Sequence, residues 1–293
     1  DPGYADAHGG LASAWFDLTQ VSTLPLEDAL PKARAEANKA LALDPRNVRA
    51  LVTLGTADMS EGKLAQARAE YQRALAIDPS DASAHLDYAL VLPLQQALAQ
   101  TQEAVQLDPR NATAQNNLAV EATDAGEYAQ ALPPLLATMK LAPHSADNAM
   151  SLALLYSLLH RSEDAVKAFD LVQPDTPLAK ALVAAGRLTY QSVLDPKLHA
   201  QALAAADALR KRSDLDPTSM GDVLQLYGAL GQNATMLEQL PKMCAALRVA
   251  CNDLSVNPVW LPVRGQPAFE ALVKKYDTIS QPPASAASSP SSP

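Results

Sequence analysis

The sequence predicts an all-α protein, a solenoid of stacked helical hairpins closed by a short C-terminal cap. Three observations predict it. Proline, mostly in Asp-Pro pairs, recurs at positions 2, 45, 79, 109, 143 and 177, and three of the five spacings are 34 residues. The same order of large and small residues returns within each interval. No stretch shows the β-branched and aromatic alternation of a half-buried strand. A unit of this length holds two amphipathic helices whose apolar faces one hairpin cannot bury alone, so each unit requires neighbours of its own kind.

The clearest unit is Val48 to Pro79, VRALVTLGTADMSEGKLAQARAEYQRALAIDP, two helical patterns joined by Ser60-Glu61-Gly62 and closed by Asp78-Pro79. Proline serves as punctuation because a helix tolerates it in the first turn, while a preceding helix cannot run through it. The fourth and seventh places of the first helix are His8 and Leu11, Leu51 and Leu54, His85 and Tyr88, Gln115 and Leu118, Ala149 and Leu152. The eighth place is small in every unit (Ala12, Gly55, Ala89, Ala119, Ala153), as is one site of the second helix (Ala33, Ala67, Ala97, Ala131, Ala165). Small side chains there let the two axes approach, since overpacking costs roughly 1–3 kcal/mol. Four places on, Tyr71, Leu135 and Phe169 fill the space between helices.

This register resembles the tetratricopeptide repeat, met best by Leu51, Leu54, Gly55, Ala67, Tyr71, Ala74 and Pro79, and it extends from Asp1 to about Pro177. The resemblance implies a right-handed α-α superhelix of five hairpins over residues 1–177. Two units depart from the pattern. The first interval is 43 residues long, which predicts a long internal loop within Leu18 to Pro31. The third is 30 residues, with Pro93 where its first helix should finish, which predicts an abrupt turn and a local kink.

Residues 178–256 read as degenerate hairpins, with helices over Leu178–Tyr190, Pro196–Arg212, Ser219–Leu230 and Ala234–Val249. Residues 257–276 combine a Pro-rich loop with a capping helix, in which Trp260, Phe269 and Leu272 suit the covering of a solenoid's last apolar face. Residues 277–293 have nothing to bury and read as a disordered tail.

Composition limits function. The chain has 293 residues, 48% of them hydrophobic, so wholesale disorder is excluded. Its net charge of −9 argues against direct nucleic-acid binding, which requires a basic stripe. The longest clear apolar run, Leu152 to Leu159, falls well short of the roughly 20 residues of a membrane span, and no signal-peptide pattern is present. Asp1-Pro2 looks like the close of a preceding repeat, which suggests a fragment of a longer array.

Two end segments carry a narrower resemblance. DPGYADAHGGLASAWF followed by LPLEDALPKARAEANKALALDP, and the closing Pro258, Pro262, Arg264, Pro267 and Phe269, are similar to C-terminal repeat regions of bacterial signalling proteins. Those proteins carry a winged-helix DNA-binding domain, a kinase or a nucleotide cyclase at the N-terminus. Leu261 departs from the acidic or polar residue more common there. The resemblance implies a regulatory or sensory region attached to an output domain, in the cytoplasm or as the periplasmic part of a membrane-anchored regulator.

Candidate chemistry is sparse. Histidines at 8, 85, 144, 160 and 199 stand singly, without metal-ligand spacing, and His8 and His85 share a packing position. Nothing supplies a nucleophile, a phosphate loop or a cofactor fingerprint, so neither a cofactor nor a catalytic role is expected. Acid pairs such as Glu163-Asp164 read as solvated faces, and Gly9-Gly10 as small residues on a packed face. Cys244 and Cys251 on one helix would lie about 10 Å apart, beyond the roughly 7 Å limit for a disulfide. A bridge needs the helix to end near Val249, which Asn252-Asp253 allows; two ordinary thiols are the alternative.

The concave wall, from the second, fifth, sixth and ninth places of each first helix, is the better place for a site. Its candidates are Asp6, Arg49, Thr53, Asp87, Asn116, Asn117, Asp147 and Ser151, flanked by Ser13 and Thr56. Asn117 stands out because an amide can pair with both the C=O and N–H of an extended peptide. Tetratricopeptide proteins that clamp C-terminal carboxylates use Lys/Arg and Asn here, whereas this wall has Arg49, no lysine and three aspartates. The reading is a non-catalytic scaffold that binds a neutral or basic peptide or protein segment rather than a C-terminal carboxylate. The alternatives are a small-molecule or peptide sensor whose ligand changes the superhelical pitch and, less favoured, an α-helical hydrolase.

Overall fold

The computed structural model describes residues 3–21, 24–247, 251 and 253–277. The expected tail over 278–293 lies outside the described residues, as do Asp1 and Pro2. Among the described residues all regular structure is helical: α1 (Ala5–Val21), α2 (Leu26–Leu43), α3 (Val48–Ser60), α4 (Leu64–Ile77), α5 (Ala82–Ala89), α6 (Leu94–Leu107), α7 (Ala112–Asp124), α8 (Tyr128–Leu141), α9 (Ala146–Leu158), α10 (Ser162–Lys167), α11 (Pro177–Leu194), α12 (His199–Arg210), α13 (Pro217–Ala229), α14 (Asn233–Ala246) and α15 (Pro267–Tyr276). None of these helices is long and apolar enough to cross a membrane. The chain divides into two compact units, residues 1–118 and 119–293.

In the first unit, α1 pairs with α2, α3 with α4 and α5 with α6, and α2–α3 and α4–α5 packing stacks the hairpins. The small positions lie where helices touch: Ala12, Ala33 and Ala67 are 0% exposed. A Cβ at Gly55 would stand 2.6 Å from the Tyr71 ring, so glycine is required for this approach. Each Asp-Pro turn ends in a helix cap. Asn47, Asp81 and Asn111 accept hydrogen bonds from the backbone N–H of Ala50, Ala84 and Ala114 at 2.9–3.0 Å, satisfying one orphan donor of each following helix. The fourth-place polar residues reach back over the same turn. His85 Nε2 lies 3.0 Å from the Pro79 carbonyl, and Gln115 Nε2 donates to that of Pro109 at 2.9 Å.

Two expectations about this unit are resolved by the geometry. Among the described residues the first hairpin has helix where a long loop was expected: α1 has 17 residues and α2 has 18, against 13 and 14 in α3 and α4. The additional chain is taken up as helix, with Pro31 inside α2, and Lys32 lies over the Trp15 ring at 4.5 Å across the longer pair. The third hairpin does turn abruptly, since α5 has 8 residues and Pro93 is the N-cap of α6.

In the second unit, α8 packs on α9, α9 on α10 and α11, and α11, α12, α13 and α14 follow as further contacting pairs. Ala131, Ala153 and Ala165 are 0% exposed, and Phe169 is 1% exposed. Gly186 repeats the Gly55 device, a Cβ there standing 2.5 Å from Phe169 and 2.9 Å from the Met150 sulfur. α13 also reaches past α11 to α9, where the Gln225 amide donates to the Met150 carbonyl at 2.8 Å and to the Tyr190 hydroxyl at 3.1 Å. The closing segment buries Leu254, Trp260, Val263 and Phe269. Cys244 and Cys251 form a disulfide with Cα atoms 5.6 Å apart. The bridge is possible because α14 ends at Ala246 and does not run through both cysteines.

Candidate functional site

The wall candidates fall in both units, and the geometry sorts them. In the first unit, Asp6 and Arg49 line one cleft of about 620 Å³ with Tyr4, Ala7, Asp44, Arg46, Asn47, Val48, Asp78 and Asp81. The cleft lies along the edge where helix N-termini meet the Asp-Pro turns. Asn47 is its pin: buried, it donates from Nδ2 to Asp6 Oδ1 at 2.8 Å while its own Oδ1 caps α3. Gly9 makes room for it, since a Cβ there would stand 2.6 Å from Asn47 Oδ1.

Thr53 has to be withdrawn as a binding residue. It is 3% exposed, and its hydroxyl donates to the Arg49 carbonyl at 2.9 Å. A helical threonine bonds back to the carbonyl one turn earlier when no better partner is near. Thr56 is likewise occupied, donating to the Val52 carbonyl and lying 3.1 Å from the Tyr71 hydroxyl. Ser13 donates to the Gly10 carbonyl.

Four candidates in this unit remain without a side-chain partner among the described residues: Arg49, Asp87, Asn116 and Asn117. Arg49 and Asn116 are exposed, while Asp87 and Asn117 are half-buried. Burial pushes the Asp87 carboxyl up to about 6, and the Asp81 charge adds to the shift. A desolvated carboxylate with no cation beside it offers an incoming cation an uncompensated charge.

In the second unit Asp147 and Ser151 are exposed. Asp147 faces Asp222 of α13, whose carboxyl is raised well above its usual range by burial first and by Asp147 next. At the C-terminal end of α7, Asp124 is lifted to about 8, chiefly by burial, with the Asp253 and Glu121 charges adding to the shift and Arg264 opposing it. Asp253 is itself raised, again chiefly by burial. Sequence reasoning missed Asp124, Asp222 and Asp253 as a group because α13 and the closing loop meet α7 and α9 only in space. Among the described residues no three His, Cys, Asp or Glu side chains are placed to hold a metal ion.

Residues 55–92 match the family model of the TPR repeat. No curated protein matches the chain. Among solved structures, a TPR protein from Parabacteroides merdae is 15% identical, with 92% of this chain and 98% of that chain covered and a TM-score of 0.54. The structure titled for Pseudomonas aeruginosa pilF is 20% identical over 74% of this chain and 95% of that chain, also at 0.54. A Naa15/Naa10 complex bound to HypK-THB gives 17% identity over 92% of this chain and 41% of that chain, at 0.52. At such identities the likeness is one of fold: the chain is a TPR-type α-solenoid.

Proposed function

We propose that the chain is a non-catalytic TPR scaffold that binds a neutral or basic peptide, or such a segment of a partner protein, along the first helices of its N-terminal unit. The observation that carries this reading is the set Arg49, Asp87, Asn116 and Asn117. These side chains sit on the first helices of successive hairpins, and all four lack an intramolecular partner among the described residues. Such groups give an extended segment both backbone pairing and charge. The resemblance of the two end segments to regulatory repeat regions supports a role in controlling an attached output domain. The HypK-bound complex among the fold relatives supports partner binding in general terms.

Fluorescence anisotropy with labelled peptides of matched length and net charge from −3 to +3 tests the reading. Neutral and basic peptides are expected to bind, and the pair Asp87→Asn with Asn117→Ala should weaken them about tenfold or more, as loss of a charged and a neutral hydrogen bond implies. Preference for acidic peptides, or equal affinity in the double variant, overturns it.

A further inference from the structure

We infer that the Cys244–Cys251 bridge is a covalent latch holding the closing segment, residues 253–277, against the last hairpin, and that this end of the chain is built for a compartment where disulfides persist. The chain has two cysteines, and both are in the bridge. Cys244 is 1% exposed and Cys251 0%. Thiols so enclosed are poorly placed to serve as reactive nucleophiles, so a structural bond is the use that remains for them.

The closing segment's core residues are concentrated before its helix, which has few anchors of its own. Its helix α15 is 10 residues long, and Phe269 is its single buried side chain. An isolated helix of that length does not persist in water. The other holds are Leu254, Pro258, Trp260 and Val263 in the core, Pro262 against Gly228, and the Asn233 amide donating to the Pro262 carbonyl at 2.7 Å, while the Ser255 N–H donating to Asp277 Oδ2 at 2.6 Å ties the segment's two ends to each other. Elements with few buried contacts open first. The bridge ties the segment's entry directly to the last turns of α14, so that an opened segment stays beside its docking face.

Forming the latch takes two electrons and two protons from the Cys244 and Cys251 thiols. A disulfide oxidant, small-molecule or protein, receives them through a mixed disulfide and leaves as two thiols. The cytosol keeps thiols reduced in most organisms, whereas the periplasm and extracellular space allow the bond to survive. Of the two locations open to such a region, the structure therefore points to the extracytoplasmic one.

The test uses the full chain, produced once with export to the periplasm of a bacterial host and once in its reducing cytoplasm. Thiols are alkylated after denaturation and counted by intact mass, and amide exchange is followed with and without a phosphine reductant. The exported chain is expected to show no free thiol. Reduction, or the double variant Cys244→Ser/Cys251→Ser, is expected to speed exchange in residues 267–276 roughly 30-fold or more, as loss of a short-loop cross-link implies. Exchange in residues 48–77 should stay unchanged. Two alkylatable thiols after export overturn the inference, as does exchange in residues 267–276 that is the same with the bridge open or closed. The reduced wild-type chain keeps the test decisive if the double variant fails to fold.

Discussion

Replacing Gly55 by alanine puts a methyl carbon where the Tyr71 ring already is. The added Cβ would lie 2.6 Å from Tyr71 Cε1 and 2.9 Å from Cδ1 and Cζ, against about 3.5–4.0 Å for relaxed carbon contacts. The ring must retreat by about 1 Å, and it has nowhere open to go. It is 0% exposed, its hydroxyl is 3.1 Å from Thr56 Oγ1, and Tyr88 stands 6.3 Å away centroid to centroid. Overpacking of this kind costs roughly 1–3 kcal/mol, and loss of the Thr56–Tyr71 bond adds about 1 kcal/mol. Alanine returns about 1 kcal/mol through helix propensity. The net expectation is destabilisation by about 1–3 kcal/mol, seen as a fall of several degrees in the melting transition of the N-terminal unit. Circular dichroism melts of Gly55→Ala, Tyr71→Leu and the double variant form a thermodynamic cycle. In the Tyr71→Leu background the alanine should be neutral or stabilising, because the ring it strikes is gone. Lys63→Leu, at an exposed helix start, should leave the melt almost unmoved. A Gly55→Ala chain that melts higher than wild type would refute the packing argument.

Two further outcomes follow from groups held in unfavourable states. Asp124 has its carboxyl raised to about 8, and Asp222 and Asp253 are also raised, each chiefly by burial. For a raised acid the folded state holds more protons than the unfolded one, so stability is fullest below the ordinary carboxyl range and is lost as pH rises through the folded value. The C-terminal unit should therefore melt lower at pH 8 than at pH 5 in calorimetry, and Asp124→Asn should flatten that slope; an unchanged slope in the variant contradicts the assignment. His160 occupies left-handed backbone at φ 58°, in the turn position that glycine holds at Gly62, Gly126 and Gly231. His160→Gly relieves a backbone cost of about 1 kcal/mol, partly offset by the freer unfolded chain. A small rise in the C-terminal unit's denaturation midpoint is expected, and a fall would show that the imidazole contributes more than its strain.

Much of the fold was legible because close helix contact tolerates few residue types. Ala33, Ala67 and Gly55 can be read from the chain alone, since any larger side chain there forces the axes apart. The first hairpin was misread for the opposite reason. Pro31 looked like a boundary, yet α2 carries it inside, in its second turn, at the loss of one backbone hydrogen bond. The caps Asn47, Asp81, Asn111 and Ser145 share the place after each proline turn, a signal that could have been found by aligning the turns rather than the helices. The disulfide was undecidable from spacing, because it depends on where α14 stops.

The candidate site was less legible because helical register says which way a residue points and not what meets it there. Thr53 and Asn117 occupy comparable places in the pattern, but Thr53 is closed in against its own helix while Asn117 has no side-chain partner among the described residues. In the second unit the first helices turn on one another: Gln225 of α13 bonds Met150 of α9, and Asp222 sits against Asp147. Asp147 is therefore committed to an internal acid pair whose mutual repulsion already raises Asp222, and a ligand would have to compete with that pair for it. Among the described residues no such competition faces Asp87. Its charge is desolvated and unanswered, and it ionises near pH 6. A basic segment should thus find its strongest electrostatic hold in the N-terminal unit, and that hold should strengthen as pH rises from 5 to 7.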